Sequence, residues 1–149
     1  MYRKILVPLE NSPYDDAIVD HVKELGCVLG SSVVFIHVAD GSVARNIAQL
    51  NLRESEEMKQ DREYIESVAA SVEESGLDAE ALLAGGDPAT EISEAAVREG
   101  CDLIAMATHG HKFMNDMLRG SVAHTVRHAS TIPVLLVRGS PRGRSGRAT

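Results

Sequence analysis

Residues 102–110 read Asp102-Leu103-Ile104-Ala105-Met106-Ala107-Thr108-His109-Gly110, and nine residues later comes Gly120-Ser121-Val122. The apolar run is short and unbroken, as in a strand buried on both faces. It feeds a glycine-bearing loop and then a stretch with helical spacing. Such a unit can hold phosphate. Glycine lets the backbone come close, and the unpaired N–H groups of a helix start point at an anion. The spacing predicts that the helix opens at Gly120-Ser121, with Ser121 as its N-cap.

The same alternation extends in both directions. Ile5-Leu6-Val7 is a second doubly buried run. Ser12-Pro13-Tyr14-Asp15 predicts a helix start, with Ser12 as N-cap, Pro13 at the first helical position and Asp15 at the capping-box position. Ile18, Val22, Leu25 and Leu29 follow at helical spacing, and Gly30 suits the C-terminal cap. Residues 33–38 are the next strand, whereas 46–53 show no clear period. A long helix is expected over 54–74, with Met58, Ile65, Val68 and Val72 on one face, acidic groups on the other and Gly76 beyond its end. Residues 79–84 read as the third strand. Gly85-Gly86-Asp87-Pro88 is a turn carrying an N-cap and an N1 proline, and its helix runs through Ile92, Ala95 and Ala96 to Gly100. Strands at 103–107 and 133–137 enclose the last helix, 121–129.

Strands alternating with helices make an α/β domain, an open parallel sheet with helices on both faces. In such sheets ligands bind beyond the carboxyl ends of the strands, where strand order reverses. The loops at those ends are Pro8-Leu9-Glu10, His37-Val38-Ala39-Asp40, Gly85-Gly86-Asp87 and the stretch after Met106. With strands one and four adjacent, the first and last of these loops face each other across one crevice.

Composition narrows the chemistry. The chain has 149 residues, 44% of them apolar, with no tryptophan and few aromatics. Its core is therefore aliphatic, and base stacking on an aromatic platform is not its way of binding. A formal charge of −7 argues against a general nucleic-acid or membrane surface. Cys27 and Cys101 belong to no CxxC pattern and read as two small buried thiols in a reducing cytoplasm. The first apolar run stops at Leu9, too short for a signal peptide, and no window approaches the ~20 apolar residues of a membrane span. The chain reads as one cytoplasmic domain over 1–138, followed by a flexible basic tail, 139–149, with Arg142, Arg144 and Arg147. A solubilising role suits that tail best.

Three segments resemble the universal stress protein family. KILVPLENS resembles the family's ILVP-x-D-x-S, HVAD ends the second strand, and ATHGHKFMNDMLRGSVAHTVRHASTIPVLLVR resembles its G-x2-G-x9-G-[ST] segment and closing strand. The resemblance implies a five-stranded parallel sheet in the order 3-2-1-4-5, Rossmann-like and akin to the adenine nucleotide alpha hydrolases. It also implies a regulatory ATP site, open to AMP or ADP and to Mg²⁺ with the nucleotide. Gly110, Gly120, Ser121 and Val122 match the phosphate and ribose positions, Val38 matches the adenine position, and Pro8 and Leu9 line the pocket with Met106. Family members pair the last strand with its copy, which makes Val134, Leu135, Leu136 and Val137 the expected homodimer interface. An apolar edge strand needs such a cover on physical grounds too.

Two positions depart from the family pattern. Ala107 stands at the first motif glycine. Were positive φ needed there, alanine would cost about 1 kcal/mol; were only close approach needed, its methyl would be tolerated. Glu10 stands in place of the usual aspartate, its carboxylate one methylene further out. His111 and Lys112, beside His109, keep the loop cationic and offset repulsion between Glu10 and phosphate. His124 and His128 share a helix face, but no carboxylate or thiolate lies at a matching metal spacing. His37 reads as a core or supporting residue rather than a base. No nucleophile–base–orienter set can be assembled, and P-loop and GxGxxG motifs are absent. The expected protein is a nucleotide-binding switch and not an enzyme. A slow ATPase or self-phosphorylating protein with Ser121 as acceptor, and a scaffold whose pocket Ala107 has closed, stand as the alternatives.

Overall fold

In this computed structural model the described residues are 1–39, 56–108 and 116–139, with the backbone alone for 116–121. The chain alternates β1 (Lys4–Pro8), α1 (Asp15–Leu29), β2 (Ser32–Ala39), α2 (Glu56–Glu73), β3 (Ala79–Gly85), α3 (Pro88–Arg98), β4 (Leu103–Thr108), α4 (Asp116–Ala129) and β5 (Val134–Arg138). The strands form one sheet in the order β3-β2-β1-β4-β5. Its four strand pairs are all parallel. The sequence-based fold is therefore the fold observed.

β1 explains its own composition. It pairs with β2 on one edge and β4 on the other, so that Leu6 lies between Val34 and Ile104. Both faces are covered as well. Ile5 and Val7 pack with Val33 and Phe35 under Ile18 and Val22 of α1 and Ile65 and Val72 of α2. Leu6 points the other way, with Val34, Ile36 and Ile104 under Ile92, Ala95 and Ala96 of α3 and Val126 of α4. A strand with no wet face tolerates no polar side chain, which is why the run is continuous rather than alternating.

Local signals set several ends. Asp87 caps α3 as expected, accepting from the Thr90 N–H at 3.0 Å and its hydroxyl at 2.8 Å. The Thr90 hydroxyl, then its N–H, hold the Asp87 carboxyl below the usual range. Gly30 closes α1 at φ +71°, donating to Gly26 O. Asp102 stitches β1 to β4, accepting from the N–H groups of Arg3 and Lys4 at 3.0 Å each. Desolvation pushes its carboxyl up, but these bonds outweigh that and lower it.

Three sequence expectations are corrected. α1 begins at Asp15, not at Ser12-Pro13, and its N-cap residue Tyr14 makes no side-chain cap bond. Residues 10–12 instead turn their N–H groups onto the Asp15 carboxylate. α4 begins at Asp116, so Gly120 and Ser121 lie inside it and Ser121 is not its N-cap. Asp116 suits the positive helix end, and Met117 and Leu118 are good helix formers, so the helix gains length there. Cys101 is buried but Cys27 is exposed, because α1 buries Ile18, Val22 and Gly26 and turns Cys27 outward. Burial pushes the Cys101 thiol up to about 11. The readings for 40–53 and for the tail beyond Gly139 lie outside the described residues.

Truncating the fully buried Ile104 to alanine should cost about 3 kcal/mol, measured by urea unfolding. Asp87→Ala should lower the unfolding midpoint at neutral pH. Because the folded-state carboxyl is lowered, that contribution is present above its unfolded value and lost as pH falls through the acid range, so wild type and variant should converge in acid.

Candidate functional site

The ladder between β1 and β2 continues one residue past β1, where the Leu9 N–H donates to Ile36 O at 2.8 Å. Beyond that point the chain must turn away, because the crossovers leave β1 and β4 for opposite faces of the sheet. A cavity of about 300 Å³ opens there, over the ends of β1, β2 and β4. That is the lower end of the range for small-molecule sites, about 300–1,000 Å³.

The cavity has two unlike sides. Ile36, Val38, Ile92, Met106 and Val122 make one side apolar, while Glu10, Asp15 and His37 stand on the other. Of the residues expected from sequence, Pro8, Leu9, Glu10, Val38, Met106, Ala107 and Val122 all line it. His109, Gly110, His111 and Lys112 lie outside the described residues, and for Gly120 and Ser121 only the α4 backbone is described. Sequence reasoning missed Asp15, Ile36, His37, Pro88 and Ile92 as lining residues. Pro88 and Ile92 are four apart on α3, and that spacing beside a strand end is the signal that could have found them.

Ala107 belongs to β4, paired with Val137, and is not among the described residues of positive φ. Its methyl therefore carries no left-handed strain, and what it changes is space alone.

Asp15 organises the lip. It is 3% exposed. Its carboxylate accepts from the N–H groups of Glu10 at 3.1 Å, Asn11 at 2.8 Å and Ser12 at 3.2 Å, and from the Tyr64 hydroxyl of α2 at 2.7 Å. Three successive N–H groups around one oxygen pair form an anion-binding nest, filled here by the chain's own carboxylate. Burial first, and then the bond to Asp15, push the Tyr64 hydroxyl far above its ordinary value, so it stays a donor. Those three amides are therefore engaged within the chain.

His37 is held on both ring nitrogens. Nδ1 lies 2.9 Å from Leu9 O, and Nε2 lies 3.1 Å from an Asp61 carboxylate oxygen of α2. The other Asp61 oxygen accepts from the Asn11 side-chain amide at 3.1 Å. Asn11 itself sits at φ +62°. The sequence reading placed His37 in the core or in support of the site; the ring also lines the cavity itself.

Other candidates fall elsewhere. His124 and His128 meet edge to face, ring centres 4.3 Å apart, and Arg127 lies 3.1 Å from His124 Nδ1. Among the described residues no group of three or more histidine, cysteine, aspartate or glutamate side chains is placed to hold a metal ion. β5 is a sheet edge, with Val134, Leu135 and Val137 half-buried and Leu136 40% exposed. Among the described residues no helix is long and apolar enough to cross a membrane.

Comparison with known proteins agrees with this architecture. The sequence profile of the universal stress protein family matches residues 1–138. Universal stress protein MJ0577 of Methanocaldococcus jannaschii is 30% identical, over 93% of this chain and 96% of its own. Its solved structure superposes with a TM-score of 0.80, covering 94% of this chain and 98% of that one. Two structures sharing the fold hold nucleotides: a universal stress protein in complex with cAMP (TM-score 0.67, 19% identity, covering 93% of this chain and 98% of that one) and one from Archaeoglobus fulgidus in complex with dAMP (0.66, 19%, 91% and 98%).

Asp15→Ala should leave three amides and a hydroxyl without their acceptor. The cost should be about 3 kcal/mol or more, against about 1–2 kcal/mol for Tyr64→Phe, which removes one donor of four. Chemical denaturation of both variants measures the difference.

Proposed function

The chain belongs to the universal stress protein family, and on that premise we propose that it is a stress-response regulator that binds an adenine nucleotide, ATP first among them, in the cavity over β1, β2 and β4. The observation that carries this reading is the cavity itself: it lies where strand order reverses, with a slot of apolar side chains on one side and polar groups on the other. The planar base would lie against Val38, Ile92 and Val122, with Pro8, Leu9 and Glu10 toward the ribose. The phosphates would run to the β4–α4 side, where the sequence supplies Gly110, Gly120 and Ser121, the hydrogen-bonding His109 and His111, and the cationic Lys112. Two features support that direction. Asp15 already fills the anion seat on the β1–α1 side, and a carboxylate there repels phosphate. Mg²⁺ would arrive with the nucleotide and soften repulsion from Glu10. The cAMP and dAMP complexes of other members of this fold are in keeping with such a ligand.

The reading is a switch rather than a catalyst. Asp15 and His37, the groups nearest to a general base, are engaged in holding the loop and helix in place. Ligand occupancy would order the β4–α4 connection and so alter a surface offered to a partner protein. A homodimer through β5, pairing Val134–Val137 with the same strand of a second copy, would cover the exposed edge. The exposed Cys27 and buried Cys101 are both free thiols, which suits a reducing cytoplasm.

Calorimetric titration with Mg-ATP tests the site, with an expected Kd in the micromolar range, about −8 kcal/mol. Ala107→Leu should fill the cavity and abolish binding while the unfolding transition persists. Ala107→Gly should leave the affinity within about threefold, since no strain is relieved. Unchanged affinity in Ala107→Leu would remove the site assignment.

A further inference from the structure

Among the described residues the ring of His37 meets two acceptors and no donor. Leu9 O faces Nδ1 at 2.9 Å, and an Asp61 carboxylate oxygen faces Nε2 at 3.1 Å. A neutral imidazole carries one N–H and satisfies one of the two; both contacts together need a proton on each nitrogen. The pair is also largely shielded from water, the two side chains being 12% and 14% exposed, so solvent does little to replace a lost bond.

From these contacts we infer that His37 is a proton-dependent positioning residue of the cavity: as an imidazolium it clamps α2 onto the β1–α1 turn, and its deprotonation loosens the ligand site. This rests on the reading of the cavity as a ligand site. The route from ring to cavity is short. Leu9 and Glu10 line the cavity, and the ring holds the Leu9 carbonyl. Asp61 holds the Asn11 side chain, and one helical turn further along α2 Tyr64 holds the Asp15 carboxylate that gathers the Glu10, Asn11 and Ser12 amides. Asn11 occupies a left-handed conformation that costs energy unless its surroundings enforce it. The turn therefore depends on α2 being docked, and the His37–Asp61 contact is one of the bonds that dock it.

Among the described residues the ring of His37 meets Asp61 of α2 and shares the cavity lining with Glu10 and Asp15 of the β1–α1 turn, Asp15 being bonded in turn to Tyr64 of α2. The neighbour of His37 across the sheet on β3 is the uncharged Leu83. The sign follows. The clamp is complete while the ring is doubly protonated and is lost as pH rises through its titration, so affinity for a ligand should fall with rising pH.

Asp61→Asn separates this role from a merely structural one. The amide introduced there can donate to a neutral Nε2 while its oxygen still accepts from Asn11. The clamp then survives deprotonation, with the ring proton on Nδ1 toward Leu9 O. The experiment follows adenosine, which has no titrating phosphate, by calorimetry from about pH 5.5 to about pH 9, with ¹⁵N NMR of the His37 ring nitrogens in parallel. Wild type should lose several-fold in affinity in step with the His37 titration. Asp61→Asn should stay within about twofold across the range. Wild-type affinity that ignores the ring titration, or an Asp61→Asn profile that follows the wild type, would overturn the inference. No adenosine or Mg-ATP binding to either protein at any pH would remove the site reading, and this inference with it.

Discussion

The end of the central strand is the point on which the site depends. Inside the sheet, β1 has its N–H and C=O groups paired on both edges and its side chains covered on both faces. At Pro8 the neighbouring strands part, and each further backbone group must find another partner or be buried without one. The chain supplies them in order. Leu9 N–H goes to Ile36 O, Leu9 O meets the His37 ring, and the N–H groups of Glu10, Asn11 and Ser12 converge on Asp15. Each substitute comes from a different element, β2 or α1, and α2 secures two of them through Asp61 and Tyr64. The cavity is what remains once these demands are met.

This gives the two rims of the cavity different duties. On the β1–α1 rim the N–H groups of Glu10, Asn11 and Ser12 are engaged by the Asp15 side chain. The apolar side formed by Val38, Ile92, Met106 and Val122 carries no side-chain polar group, which suits the proposed flat base. A nucleotide laid with its base in the apolar slot and its phosphates away from Asp15 satisfies both rims. One laid the other way would set phosphate against a buried carboxylate.

Much of the fold was legible in the sequence because burial writes itself plainly there. Ile5-Leu6-Val7 and residues 103–107 are continuous apolar runs since both faces of each strand are covered, and Asp87-Pro88 announces its helix by cap chemistry alone. Helix starts were less legible. Ser12-Pro13 has the composition of a cap, yet Asp15 won the competition for the local amides, because a carboxylate is the stronger acceptor and Tyr64 from a distant helix completes its coordination. Ser121 likewise has a cap's identity, but the residues before it also favour helix, and α4 takes them in. Of the cavity, the strand-end residues could be named from position. Asp15 and the His37–Asp61 pair could not, since their partners lie up to 49 residues away and no local pattern ties α2 to the first turn. Ala107 shows the converse: the sequence left two readings of that alanine, and its place within β4 settles the backbone one.

The proposed function places a nucleotide in the crevice over β1, β2 and β4. Backbone amide shifts during a Mg-ATP titration of isotopically labelled full-length protein test it most directly. Saturable shifts are expected at Leu9, Val38, Met106, Ala107 and Val122, with the bottom of the sheet around Lys4 and Ser32 undisturbed. Saturable shifts confined to β5 or to the exposed faces of α1 and α3, or no shifts at millimolar nucleotide, would contradict it.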